Sequence, residues 1–184
     1  RSAMGLKGGL PLRRGLALSA SSGFLLTLAF PRWNLWGLAW VALVPLFYAL
    51  DEAKSRRETF VFGFVAGFFF YLLSISWLRH VTVFGMFFVV TVLAMYWGIF
   101  GVVFRTVIAR SRLLFLAAVW VALEFVRTEI PVLGFGWNLL GYSQAPNLPV
   151  AQLASVVGIY GVSFLVFLGN KVVYSAFRRG VKSE

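Results

Sequence analysis

The chain has 184 residues, 60% of them hydrophobic and 12% charged, with a mean hydropathy of +0.86, which excludes a soluble domain because such a domain needs far more polar surface. The net charge of +11 is scattered between apolar runs rather than gathered in one patch, so it does not point to nucleic acid. With no cysteine and only one histidine, His80, these residues hold no disulfide, thiolate metal site, cysteine nucleophile or histidine metal cluster, and no cofactor is expected.

Residues 1–14 are Gly-rich and basic, with Lys7, Arg13 and Arg14. The sequence opens at Arg1 rather than Met, as a fragment or a chain that has lost its start would. A first apolar run, 15–30, ends at Pro31-Arg32-Trp33-Asn34, where proline removes a donor and Asn favours a turn. It is not read as a signal peptide, because no small-residue cleavage pattern follows and a second run, 35–50, returns at once. Pro45 lies inside that second run, and proline is tolerated in membrane helices. A charged loop at 51–58 leads into a third run, 59–78, closed by Arg79 and His80. The fourth run is 81–104, and Arg105, Arg110 and Arg112 bracket the next connection. The fifth is 113–126 and the sixth 150–176, separated by a Gly-, Pro- and Asn-rich stretch at 127–149. A span needs about 20 apolar residues to cross about 30 Å of hydrocarbon. The chain therefore reads as a single transmembrane domain over 1–184: an all-α, polytopic helical bundle of about six spans.

The basic residues give that bundle a direction. Fourteen of the 17 fall on one side of the alternating runs, and only Arg32, Arg79 and Arg127 fall on the other. The positive-inside rule then puts both termini in the cytoplasm and the loop 127–149 outside. Trp33, Trp36, Trp77 and Trp137 lie near the outer interface, and an aromatic belt accounts for the first three. Gly63 with Gly67, and Ala154 with Gly158, are small pairs one turn apart, as packing inside one bundle requires. Lys171, near the inner end of the sixth run, is expected to snorkel.

The loop 127–149 is too long for a tight connection and too apolar for a solvated one. Phe135, Trp137, Leu139, Leu140 and Tyr142 need cover from lipid, bundle or partner. Gly134, Gly136 and Gly141 allow the backbone to fold back. Asn138, Ser143 and Gln144 supply donors and acceptors that suit a lipid headgroup. Two readings stand side by side: a functional outer loop, or a re-entrant segment that plugs the bundle. Glu124 and Arg127, three residues apart on one helix face, are expected to form a structural ion pair.

Three stretches carry a resemblance: Glu124-Phe-Val-Arg127, Gly134-Phe-Gly-Trp-Asn-Leu-Leu-Gly-Tyr-Ser-Gln144, and Gln152 to Phe164. With Phe30-Pro-Arg-Trp-Asn-Leu-Trp36, the run Trp40 to Leu46, Trp77 and Phe84-Gly85, they resemble the apolipoprotein N-acyltransferase family, in order over nearly the whole chain. Gly136 departs from it, standing where the family usually has proline, which loosens the turn. The resemblance implies a bacterial inner-membrane, multi-pass enzyme of lipoprotein biosynthesis. Its members move an acyl chain from a phospholipid to the N-terminal cysteine of a lipoprotein. They join an eight-helix bundle to a nitrilase-like domain with a Glu-Lys-Cys triad. This chain resembles the first six helices, and without cysteine it has no catalytic residues to carry over. By resemblance, the loop faces the periplasm below the catalytic domain. Trp137 and Tyr142 would shape the acyl-chain entrance, Asn138 and Gln144 would bond nearby, and Glu124 and Arg127 would brace the loop. Membrane lipids and a nitrilase-like domain are the implied partners. Two expectations follow: the membrane half of an N-acyltransferase, as a truncated chain or one product of a split gene, or a non-catalytic accessory subunit of a respiratory or photosynthetic complex. A small lipid-binding or transport protein is disfavoured, because the spans lack the intramembrane charges expected of an ion or solute pathway and broken paired helices.

Overall fold

The computed structural model describes residues 10–106, 113–129 and 134–182. Arg1, Lys7, Arg110, Arg112 and loop positions 130–133, all used in the sequence reading, lie outside them. The described residues form seven α-helices and three short 3-10 turns, without a strand. The helices are α1 (Leu12–Leu28), α2 (Val44–Glu52), α3 (Arg56–Ser74), α4 (Val83–Thr106), α5 (Leu113–Glu129), α6 (Leu148–Gln152) and α7 (Ala154–Lys182). The turns are Trp36–Trp40, Ser76–His80 and Leu140–Gln144. Three helices are long and apolar enough to cross a membrane: Arg56–Ser74, Val83–Thr106 and Ala154–Gly180. Helices α1 and α5, at 17 residues each, are just shorter.

The run 35–50 differs most from a simple span. It divides into the turn Trp36–Trp40 and the nine-residue α2. Pro45 explains where α2 begins: it sits in the first turn, where its missing N–H costs nothing. The freed backbone groups before it are met from α7. The Leu43 N–H donates to Asn170 Oδ1 (2.8 Å), and Asn170 Nδ2 donates to the Ala39 carbonyl (2.6 Å).

In lipid, apolar burial does not drive helices together, so close packing and interhelical hydrogen bonds must. Glycines open the approach. A Cβ on Gly63 would lie 2.1 Å from the Trp97 carbonyl oxygen of α4, and one on Gly67 would meet the Trp97 ring at 2.8 Å. Gly23 of α1 likewise sits against the Ala66 carbonyl oxygen of α3, at 2.2 Å from such a Cβ. The first run is thus an integral helix of the bundle. Gly158 behaves otherwise. Its φ of 69° breaks α7, and no atom lies within 4 Å of a Cβ there, so it makes a kink rather than the packing pair expected with Ala154.

An aromatic core joins α2, α4, α5 and α7. Trp97 and Trp120 meet at 4.8 Å between ring centroids, Phe100 and Trp120 at 5.0 Å, and Phe47 and Phe167 at 5.3 Å. Such edge-on pairs contribute about 0.5–1.5 kcal/mol each beyond area burial. Lys171 does not simply snorkel. Its Nζ lies 4.6 Å from the ring centroids of both Phe104 and Tyr174, where cation–π attraction holds it.

The bundle has two chemically distinct ends. At one, Arg178 bridges Asp51 (2.7 Å) and Glu52, and Arg105 donates to the carbonyls of Ala53 and Lys54. At the other lie the turns 36–40 and 76–80 and the segment 134–147.

Candidate functional site

The site grows from the last two turns of α5. Glu124 and Arg127 project from one face, as their spacing requires, and both are buried, at 6% and 2% exposure. They do not form the expected ion pair; the salt bridges among the described residues are those of Arg178. Each instead takes backbone from the returning segment. Arg127 Nη1 donates to the carbonyls of Phe135 (2.6 Å) and Trp137 (2.9 Å), and Nη2 to that of Asn138 (3.4 Å). Glu124 Oε1 accepts from the Leu140 N–H (2.7 Å) and from Trp120 Nε1 (3.1 Å). Its other oxygen, Oε2, is buried without a hydrogen-bond partner. A guanidinium offers five donors and no acceptor, which suits three loop carbonyls; a carboxylate suits loop and indole N–H groups. The backbone thus competes successfully for both charges.

The rest of the segment is tied to three further elements. Asn138 takes a φ of 58°, which Asn tolerates, and its Nδ2 donates to Ser74 Oγ at the end of α3 (2.8 Å). The Gly141 N–H donates to Ser163 Oγ of α7 (2.8 Å). Gln144 is fully buried: its Nε2 donates to the Trp36 carbonyl (3.1 Å), and its Oε1 accepts from Trp40 Nε1 (3.0 Å). Ser143, also fully buried, donates to the Leu140 carbonyl (2.7 Å). Positions 139–144, Tyr142 excepted, are built into the bundle like a plug.

Other candidates face outward. Gly134 is exposed and Phe135 half-buried. Trp137 is 57% exposed and Tyr142 43%. The Trp137 ring stands 5.1 Å from Phe135 and 6.3 Å from Trp77, centroid to centroid. The four outer tryptophans, Trp33, Trp36, Trp77 and Trp137, are all exposed at this end. Ser74 and Ser163 bond the segment directly, and Trp120 bonds Glu124, which holds it. Ser163 was the most findable of them, because a hydroxyl inside a long apolar run asks for an internal partner.

Beside the segment a cavity of about 470 Å³ opens between the ends of α1 and α3. Buried Thr27 and Phe30 form its floor, with Ser74, Ser76, Trp77 and Asn138 along its walls.

The pattern of the apolipoprotein N-acyltransferase N-terminal domain matches residues 22–172 of this chain. The chain belongs to the apolipoprotein N-acyltransferase family. It is similar to the apolipoprotein N-acyltransferase of Geobacter metallireducens, 35% identical over 90% of this chain and 34% of that protein. It is also similar to those of Chlorobaculum tepidum, 32% identical over 90% of this chain and 32% of the relative, and Pasteurella multocida, 31% identical over 84% and 31%. The chain thus spans about a third of the length of these curated relatives. The N-acyltransferase match contains both halves of the clamp: Glu124 and Arg127, and the segment they hold.

Proposed function

We propose that these residues are the membrane half of an apolipoprotein N-acyltransferase, which transfers an acyl chain from a phospholipid to the N-terminal cysteine of a lipoprotein. The observation that carries this reading is the clamped segment 134–144 inside the family match. A buried Arg and a buried Glu, each spent on loop backbone, make a stiff platform from which Trp137 and Tyr142 stand out. That is the architecture a lipid-facing entrance needs: a rigid scaffold presenting aromatic edges. The thioester chemistry of the family needs a cysteine, and these 184 residues contain none. The nucleophile therefore comes from a nitrilase-like domain outside them, joined to the bundle or bound to it. Six spans, cytoplasmic termini and a periplasmic segment 127–149 in the bacterial inner membrane complete the reading, supported by the fourteen-to-three distribution of basic residues.

The test is purification from the membrane in mild detergent, with intact mass, co-purifying proteins and acyl transfer from labelled phospholipid to a diacylated lipopeptide measured together. A nitrilase-like domain, fused or stoichiometric, with transfer activity is the expected result. A fixed ratio to unrelated membrane subunits without transfer would instead make the chain an accessory scaffold.

A further inference from the structure

Three outward basic residues stand out, because the positive-inside rule disfavours them there. Arg127 is spent on the segment's carbonyls. Arg32 and Arg79 are not. Both line the 470 Å³ cavity, together with His80 and Trp33. The side chains of Arg79 and His80 make no hydrogen bond or ion pair among the described residues, and no acidic side chain lines the cavity. Arg32 lies 5.4 Å from the centroid of the Trp33 ring. Stacking of that kind occupies a guanidinium face and leaves its N–H edge free for an anion.

Arg32 also has a φ of 113°, costly for a residue with a Cβ. Strain of this kind, on the order of 1–3 kcal/mol, persists where surrounding structure enforces it and is concentrated at functional sites. The backbone here is fixed by hydrogen bonds on either side: the Asn34 N–H to the Phe30 carbonyl (3.0 Å) and the Leu35 N–H to the Leu28 carbonyl (3.0 Å). Ser76 adds a hydroxyl, and exposed Trp33 and Trp77 flank the opening.

We propose that this cavity binds a phosphate-bearing anion through Arg32 and Arg79, with His80 and Ser76 as further donors. Planar guanidinium groups match phosphate oxygens two at a time, and a cavity of this size accepts a headgroup. The shared chemistry is a phosphate, carried as the phosphodiester of a phospholipid headgroup or as the free ion. The proposal rests on the membrane reading but not on the acyl-transfer reading.

The test titrates delipidated protein in detergent with phosphatidylglycerol, or with a galactosyl diacylglycerol that lacks phosphate, and counts bound lipid by native mass spectrometry. Wild type retains one phosphatidylglycerol that the R32Q/R79Q double variant binds about tenfold more weakly. The galactolipid binds both proteins alike and weakly. An R13Q/R14Q variant, altered in the first turn of α1 at the far end, behaves as wild type. R79Q alone gives a partial loss that R79K largely restores, which keeps the test decisive even if the double variant unfolds. Displacement of the lipid by millimolar inorganic phosphate assigns the site to the free ion; resistance assigns it to the headgroup. Equal retention of phosphatidylglycerol by wild type and the double variant, or retention of the galactolipid by wild type as strong as that of phosphatidylglycerol, overturns the proposal. Failure of the wild type to enter a bilayer at all would overturn the membrane reading instead.

Discussion

Asn170 meets two of the backbone groups left open ahead of α2, where Ser22 Oγ meets a third, the Ala42 carbonyl (2.6 Å). Asn170 is fully buried in α7, and its side chain bonds the Leu43 N–H, the Ala39 carbonyl and the Val166 carbonyl. Without it, the first two groups would be left unpaired inside the bundle. Leaving a buried polar group unsatisfied costs about 1–3 kcal/mol. Asn170→Leu, nearly the same size, is therefore expected to lower stability by about 2 kcal/mol or more in mixed-micelle denaturation. Val173→Leu, on the exposed side of the same helix, is expected to change little. In the sequence, Asn170 is visible as a polar residue in an apolar run, but its partners lie 127 and 131 residues away, beyond any local pattern. Glu124 and Arg127 show the same limit at closer range. Their spacing fixes a shared helix face; it says nothing about whether a loop carbonyl or a carboxylate reaches the guanidinium first.

Among elements, the segment 134–147 was the easiest to notice and the hardest to place. Its length, glycines and aromatics marked it as unusual, and its burial in the bundle depended on contacts with α5, α7 and the turn at Trp36–Trp40. Its glycines separate two roles. A Cβ on Gly141 would come within 2.6 Å of the Ile159 carbonyl oxygen, which is backbone and cannot turn aside. Gly141→Ala is therefore expected to cost about 1–3 kcal/mol, as overpacking does. Gly136 has a non-positive φ, and the nearest atom to a Cβ there, Thr128 Cγ2, is at 3.4 Å, an ordinary contact. Gly136→Ala is expected to be tolerated or to stabilise by about 0.4–1 kcal/mol, through the unfolded chain. Thermal unfolding of the two variants in one detergent gives the comparison, and the reverse order would mean that the segment does not pack against α7 as described. The run 35–50 failed as a simple helix for the complementary reason: apolarity marks what lies in hydrocarbon, while the break at Leu43 depends on Pro45 and on a partner in α7.

For the whole molecule, the charge pattern makes a claim about sidedness that the fold itself leaves to experiment. The ion pairs and Arg105 gather at one end of the bundle, and the four exposed tryptophans and the cavity at the other. The absence of cysteine in these residues turns any introduced cysteine into a unique reporter. Gly37 lies in the exposed turn at the tryptophan end, with no atom within 4 Å of a Cβ. Arg57 is exposed in the first turn of α3 at the opposite end. An impermeant maleimide is expected to label Gly37→Cys in intact cells and Arg57→Cys only after permeabilisation. The opposite pattern would invert the bundle. Arg179→Cys, exposed near the end of α7, tests the parity of the spans. It labels like Arg57→Cys if α5, the 17-residue helix that lies with α3, α4 and α7 between the two positions, completes a crossing together with its flanking turns. If α5 stops short and re-enters on its own side, Arg179→Cys labels like Gly37→Cys instead, because a single crossing lost between the two reporters moves the later one to the other face of the membrane.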